Sequence, residues 1–133
     1  MYELRDDNST KKILVVEDDR LFQDFAKMVL SKNYIVDVAE NGYDAIKLYE
    51  KNKYMAILMD IDLPDISGIE VTKIIRNLEA SGDMRSVIIA VTGGGEAIRP
   101  DCIRAGMNDF IAKPFKLALL EKILARYSFD ISQ

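Results

Sequence analysis

Five polar residues, scattered over a hundred positions, each follow an apolar run. Ile13-Leu14-Val15-Val16 leads into Glu17 and Asp18, and the run from Tyr54 to Met59 stops at Asp60. Val87-Ile88-Ile89-Ala90-Val91 leads into Thr92, and Asp109-Phe110-Ile111-Ala112 into Lys113. Short apolar runs bounded by turn residues read as buried strands. The C-terminal ends of parallel strands share one edge, where open α/β sheets place their chemistry. One acidic strand end would mean little, because Asp often caps the next helix, and Asp19 reads as such a cap. Three carboxylates, a hydroxyl and an ammonium on one edge form a chemical set.

Crowded carboxylates repel, and a hard cation relieves them. Oxygen donors without sulfur or imidazole suit Mg²⁺ or Mn²⁺, held by one or two carboxylates, waters and a phosphate. Glu17, Asp18 and Asp60 supply three negative charges, and a divalent ion with Lys113 returns three positive ones. Asp60 then has three possible roles: a third ligand, a general base, or a nucleophile toward phosphorus that forms an acyl phosphate. Phosphoryl transfer needs in-line positioning and neutralised oxygens, which Lys113, the Thr92 hydroxyl and the Gly93 amide suit.

Composition narrows the options. The chain has no histidine, which excludes His-based metal sites, Ser-His and Cys-His pairs, and a phosphohistidine of its own. Its single cysteine, Cys102, cannot form an internal disulfide and reads as a small buried hydrophobe in a helix. That usage fits a reducing cytoplasm. With 133 residues, 49% of them apolar, the chain is long enough for one domain with a real core. The net charge of −4 is spread without a basic cluster, so no direct nucleic-acid contact is expected. No apolar run reaches the length of a membrane span and no signal peptide is recognised, so a cytoplasmic location is expected.

The elements that must position these residues alternate. Strands are expected at Lys11–Val16, Tyr34–Val38, up to Asp60, Val87–Val91 and Asp109–Ala112. Between them come helical patterns: Leu21, Phe22, Phe25, Met28 and Val29; Ala45, Ile46, Leu48 and Tyr49; and Ile69 to Leu78, with Ser67 or Gly68 near its start. Ala80-Ser81-Gly82-Asp83 reads as a loop, Asn41-Gly42 as a turn and Gly106 as a helix C-cap. Leu117, Leu120, Ile123, Leu124 and Tyr127 form a last helix. Proline is tolerated only in a helix's first turn, so the fourth helix is expected to start near Pro100, after a long mobile loop from Gly93. Such alternation predicts an α/β fold with a parallel sheet covered on both faces. Residues 1–10 are expected to be a flexible tail, 11–127 the domain and 128–133 a second tail.

Taken in order, Ile13-Leu14-Val15-Val16-Glu17-Asp18, Met59-Asp60 with Leu63-Pro64 and Gly68, Val91-Thr92-Gly93, and Ala105-Gly106 leading to Phe110-Ile111-Ala112-Lys113-Pro114-Phe115 resemble the receiver domain of two-component response regulators. The resemblance covers about Lys11 to Tyr127. It implies a flavodoxin-like (βα)5 fold, doubly wound, with strand order 2-1-3-4-5. Asp60 then corresponds to the phosphoacceptor, Asp18 to the direct Mg²⁺ (or Mn²⁺) ligand, Glu17 to the second acid, and the backbone carbonyl of Asp62 to a further ligand. Lys113 corresponds to the lysine that pairs with the aspartate and then the phosphoryl group. Thr92 and Phe110 correspond to the switch pair, and Pro114 to a proline after a cis peptide. Asp62 and Gly94 stand at positions tied to phosphoryl lifetime. The implied function is a phosphorylation-dependent signalling switch, which promotes its own phosphorylation and slow dephosphorylation without being a turnover enzyme. The implied partners are a sensor histidine kinase or histidine phosphotransfer protein, which supplies the phosphoryl group, and an output protein or domain. No membrane contact is implied, and the chain is expected to be a monomer or weak dimer.

This chain departs from the common pattern at three places. Phe110 lacks the usual tyrosine hydroxyl, Asp62 adds a carboxylate two residues past the acceptor, and Ser67 replaces an acid or amide before the glycine. Two other readings compete with the receiver. Asp60-Ile61-Asp62 also resembles the Asp-x-Asp of haloacid-dehalogenase-type phosphohydrolases, but Pro64, the two preceding βα units and the Glu17-Asp18 pair do not suit that family. A pseudo-receiver without switching is opposed by the intact Asp18, Asp60, Thr92 and Lys113.

Overall fold

Side chains alternate between the faces of a strand, so the unbroken apolar runs give the central strands two buried faces, and the chain covers both with helices. The computed structural model describes residues 11–79 and 85–132, with side chains through Tyr127. Five strands, β1 (Lys12–Val16), β2 (Ile35–Ala39), β3 (Ala56–Asp60), β4 (Val87–Thr92) and β5 (Asp109–Ala112), pair in parallel in the order β2-β1-β3-β4-β5. The helices are α1 (Arg20–Leu30), α2 (Gly42–Lys51), α3 (Gly68–Glu79), α4 (Arg99–Ala105) and α5 (Leu117–Ser132). The doubly wound fold read from the sequence is the fold observed.

Alternate residues of each strand serve opposite layers. Ile13, Val15, Leu58, Ile89 and Ile111 pack with Phe22, Ala26 and Leu30 of α1 and Leu120, Ile123 and Leu124 of α5. Leu14, Val16, Ile57, Met59 and Ile88 pack with Ala45 of α2, Val71 and Ile75 of α3 and Cys102 of α4. Cys102 is thus a buried helix residue, as expected.

Helix ends follow local chemistry. Asp19 caps α1 by accepting the Leu21 N–H at 3.1 Å, and Ser67 caps α3 by accepting the Glu70 N–H at 3.2 Å. Gly106 closes α4 at φ 115°, a left-handed conformation that favours glycine.

Three expectations need correction. On α1, Leu21 and Met28 are 79% and 66% exposed, while Phe22, Gln23, Ala26 and Leu30 are buried. The buried stripe follows the i, i+4, i+8 row Phe22–Ala26–Leu30, and Leu21 and Met28 lie on a neighbouring row that this packing leaves outside. The supposed C-terminal tail is helical through Ser132, because no proline or glycine after Lys116 interrupts α5. The fourth helix does start near Pro100, with α4 opening at Arg99, but the loop before it is shorter than expected, because Glu96–Ile98 already form a 3₁₀ turn that leads directly into the helix. The 80–83 loop falls outside the described residues.

Candidate functional site

Register builds the site. Val16 pairs with Met59 and Asp60 with Val91, so Glu17, Asp60 and Thr92 emerge together at the C-terminal edge. Thr92 pairs with Ala112, and the Lys113 N–H donates to the Thr92 carbonyl at 2.9 Å, which brings Lys113 to the same edge. A tight turn ends β3 there. Beyond Asp60 the chain bends through Leu63-Pro64, and the Gly68 N–H returns to the Ile61 carbonyl at 2.9 Å. A Cβ at Gly68 would lie 2.1 Å from the Asp60 carbonyl oxygen, so only glycine permits this approach.

Glu17, Asp18 and Asp60 each place a carboxylate oxygen within 4.8 Å of the others, the grouping the sequence led us to expect. Glu17 is 2% exposed and Asp60 7%, whereas Asp18 faces solvent. Lys113 Nζ lies 2.6 Å from Glu17 Oε1 and 3.7 Å from Asp60 Oδ2. The ammonium also sits 4.8 Å from the centroid of the Phe22 ring, which favours a cation there. The Asp62 N–H donates to Asp60 Oδ1 at 3.2 Å, and the Asp19 N–H to Glu17 Oε2 at 3.0 Å.

These contacts do not saturate the carboxylates. Burial pushes the Asp60 carboxyl up to about 6, with the Glu17 charge adding to the rise and Lys113 and the Asp62 amide opposing it. Burial works against the Lys113 charge, yet Glu17 and Asp60 together hold its pKa above the ordinary value. Glu17 Oε1 has the Lys113 ammonium as its close partner, at 2.6 Å. An all-oxygen donor set in which two buried carboxylates share one ammonium fits a hard divalent cation.

The remaining sequence candidates surround this centre. Thr92 is buried, and its Oγ1 accepts the Gly94 N–H at 3.0 Å. Gly93 is exposed, with open space where a side chain would be. Ile61, Asp62, Thr92, Gly94, Ala97 and Ile98 line a groove of 320 Å³ between the turn after β3 and the loop after β4. Phe110 is buried in the layer of α2, α3 and α4, and the Lys113–Pro114 peptide is cis.

Two participants escaped the sequence reading. Arg99 lays its guanidinium carbon 4.9 Å from the Phe110 ring centroid, and it also pairs with Glu96. Asp65, in the turn after β3, accepts N–H groups from Gly42, Tyr43 and Ile66 at 2.8, 2.9 and 2.8 Å. The contacts with Phe110 and with α2 join residues more than ten positions apart, so no local pattern announces them.

The model of the response regulator receiver domain matches residues 13–125. Among curated proteins, the transcriptional regulatory protein ResD of Bacillus subtilis (strain 168) is 38% identical over 131 residues, covering 96% of this chain and 53% of ResD. The chain spans about half the length, or less, of the curated relatives it matches. Among solved structures, the receiver domain of sensor histidine kinase PA1611 from Pseudomonas aeruginosa PAO1, with magnesium coordinated in its active site cleft, is 39% identical. It aligns with a TM-score of 0.78 over 88% of this chain and 96% of that one. The receiver domain of Ssk1 from Saccharomyces cerevisiae, crystallised with the histidine phosphotransfer protein Ypd1, is 28% identical, with a TM-score of 0.79 and 87% of each chain covered.

Proposed function

The chain belongs to the response regulator receiver domain family, and on that premise we propose that it is a phosphorylation-dependent signalling switch with Asp60 as its phosphoacceptor. The observation that carries this reading is the convergence of Glu17, Asp18 and Asp60 with Lys113 at one sheet edge. Glu17, Asp18, Asp60 and the Asp62 carbonyl would hold Mg²⁺ (or Mn²⁺), which when bound supplies charge neutralisation for the incoming phosphoryl oxygens.

In the transfer, an Asp60 carboxylate oxygen attacks phosphorus. The bond from phosphorus to the donor's imidazole nitrogen breaks, and the imidazole leaves with the electron pair and takes up a proton from water. Lys113 trades part of its pairing with the carboxylates for the phosphoryl oxygens. The Thr92 hydroxyl donates to one of those oxygens and the Gly93 amide faces another. Movement of Thr92 biases the packing of Phe110, and through it the surface offered to an output partner. Phe110 has no hydroxyl, so this signal is carried by ring position. Asp62 and Gly94 flank the approach to the acceptor and would tune the phosphoryl lifetime. The chain so acts once per phosphoryl group, promoting its own phosphorylation and slow dephosphorylation rather than turning over a substrate.

The donor would be a sensor histidine kinase or a histidine phosphotransfer protein. The absence of histidine in this chain and the Ypd1 complex of the similar Ssk1 receiver support that class. The chain would work as a monomer or weak dimer in the cytoplasm. Incubation with acetyl phosphate and intact-mass analysis tests the proposal. One Mg²⁺-dependent phosphoryl adduct is expected, absent in Asp60→Asn. A folded wild-type chain that stays unmodified with Mg²⁺ present overturns the reading, and continuous phosphate release would point to a hydrolase instead.

A further inference from the structure

Asp65 lies outside the carboxylate cluster, yet it makes three hydrogen bonds from one side chain. Its Oδ1 accepts the Gly42 N–H at 2.8 Å and the Ile66 N–H at 2.8 Å, and its Oδ2 accepts the Tyr43 N–H at 2.9 Å. Gly42 and Tyr43 open α2, whose first-turn amides and positive dipole end favour a carboxylate. A helix can be capped more simply, and α2 already is: Asn41 accepts the Asp44 N–H at 2.8 Å. The second cap comes from 23 residues away and belongs to the turn that follows Asp60.

The other contact of this corner explains what such a link does. The Glu17 N–H donates to the Ala39 carbonyl at 2.9 Å, so the acid pair after β1 hangs from the start of the same β2–α2 corner. Asp65 ties the β3–α3 turn to the far end of that corner. The turn carries Asp62, whose N–H already contacts Asp60 Oδ1. Between Asp60 and Gly68 the turn is therefore fixed to β3 at one point and to α2 at another. Without Asp65, the Asp62–Asp60 and Gly68–Ile61 hydrogen bonds would still tie the turn to the end of β3, but no hydrogen bond would tie it to α2.

We propose that Asp65 is a positioning residue for the metal site: by bolting the β3–α3 turn to the N-terminus of α2, it sets the Asp62 carbonyl relative to Glu17 and Asp18. This rests on the Mg²⁺ reading above and deepens it. Groups that orient ligands from outside the site typically change metal affinity by about 10–100-fold. Asp65→Asn keeps an acceptor at Oδ1 but puts an NH₂ group where Oδ2 received the Tyr43 N–H, so it should retain part of the function.

The test is Mg²⁺ titration calorimetry on the full chain, for wild type, Asp65→Ala, Asp65→Asn and Asn41→Ala. Asn41→Ala removes the local cap of α2 without touching the turn. Asp65→Ala is expected to weaken Mg²⁺ binding about tenfold, at the low end for such residues. Asp65→Asn should fall between it and wild type, and Asn41→Ala should match wild type. With acetyl phosphate, Asp65→Ala should need more Mg²⁺ for half-maximal phosphorylation but reach the wild-type rate at saturation. Equal affinity in Asp65→Ala and wild type overturns the inference and leaves the switch reading intact. An equal loss in Asn41→Ala also overturns it, because helix stability would then be the cause. A folded wild type that binds no Mg²⁺ removes the metal reading itself, and this inference with it.

Discussion

The two edges of the sheet hold the same kinds of groups and treat them oppositely. At the N-terminal edge, below β4 and β5, the buried Glu79 pairs with the half-buried Arg76 at 2.5 Å. Arg76 also donates to the carbonyls of Gly106 and Ser86 and to Asn108 Oδ1, at 2.9, 2.9 and 2.8 Å. Glu79 Oε2 accepts the Tyr49 hydroxyl at 2.6 Å and the Ser86 N–H at 2.8 Å. Both Glu79 oxygens there have partners, and the cluster joins α3 to the strand starts and to the C-cap of α4. At the C-terminal edge, two buried carboxylates share one ammonium, and the Asp60 carboxyl is pushed up to about 6. A fold that can saturate a buried ion pair at one edge has left the other short of positive charge. The shortage is the property a cation and a phosphoryl group would use.

Breaking the saturated edge should cost the most. Arg76→Ala leaves Glu79 buried without its main cation, and removing one partner of a buried pair typically costs about 3–5 kcal/mol. Urea unfolding of Arg76→Ala and wild type measures this directly. A loss below about 1 kcal/mol, the range of exposed ion pairs, would remove the contrast between the edges.

Relieving the frustrated edge should have the opposite sign. Asp60→Asn removes one of two crowded charges, and without divalent ions it is expected to stabilise the fold by about 1–3 kcal/mol at pH 7. Saturating Mg²⁺ should stabilise wild type and shrink the difference, since a ligand that binds only the folded state adds to its stability. Thermal unfolding with and without Mg²⁺ reads both effects. Destabilisation of the metal-free protein by Asp60→Asn would show that Lys113 already satisfies the site.

The pH dependence comes from the same carboxyl. Its folded pKa of about 6 lies above the unfolded value near 4, so the folded state holds the proton more tightly. The contribution of Asp60 to stability is therefore fully present below about pH 4 and is lost as pH rises through about 6. The stability difference between wild type and Asp60→Asn, measured in chelator, should widen between pH 4 and pH 7 and then level off. A difference that stays constant with pH would place the Asp60 carboxyl in the ordinary range.

The contrast between the edges was half legible in the sequence. Apolar runs that stop at Glu17, Asp60, Thr92 and Lys113 announce a reactive edge, because a strand end needs only its own neighbours to be recognised. The alternation of two periodicities likewise announces the doubly wound fold. The saturated edge carries no such signal: Arg76, Ser86 and Asn108 meet only after α3, β4 and α4 have packed. The Asp65 link to α2 and the stacking of Arg99 on Phe110 are invisible for the same reason. On α1, Leu21 and Met28 fit a helical period yet face outward, because periodicity names a stripe and the sheet decides which stripe is covered.

The smallest effect tests where the reactive edge ends. Arg99 is a cation close to the site, but its guanidinium lies over Phe110 and beside Glu96 rather than on the carboxylates. Were it free to reach Asp60, the edge would not be short of charge. A cation over an aromatic ring at a partly exposed site contributes about 0.5–1 kcal/mol, and an exposed ion pair such as Arg99–Glu96 less than about 1 kcal/mol. Arg99→Gln should thus cost about 1 kcal/mol or less. In a double-mutant cycle with Phe110→Leu, which keeps an apolar side chain but removes the ring, the coupling should be about 0.5–1 kcal/mol. The Asp60 contribution to the pH profile should be the same in Arg99→Gln as in wild type. A steeper profile would mean that Arg99 had been helping to neutralise Asp60, and would extend the charge-poor edge as far as α4.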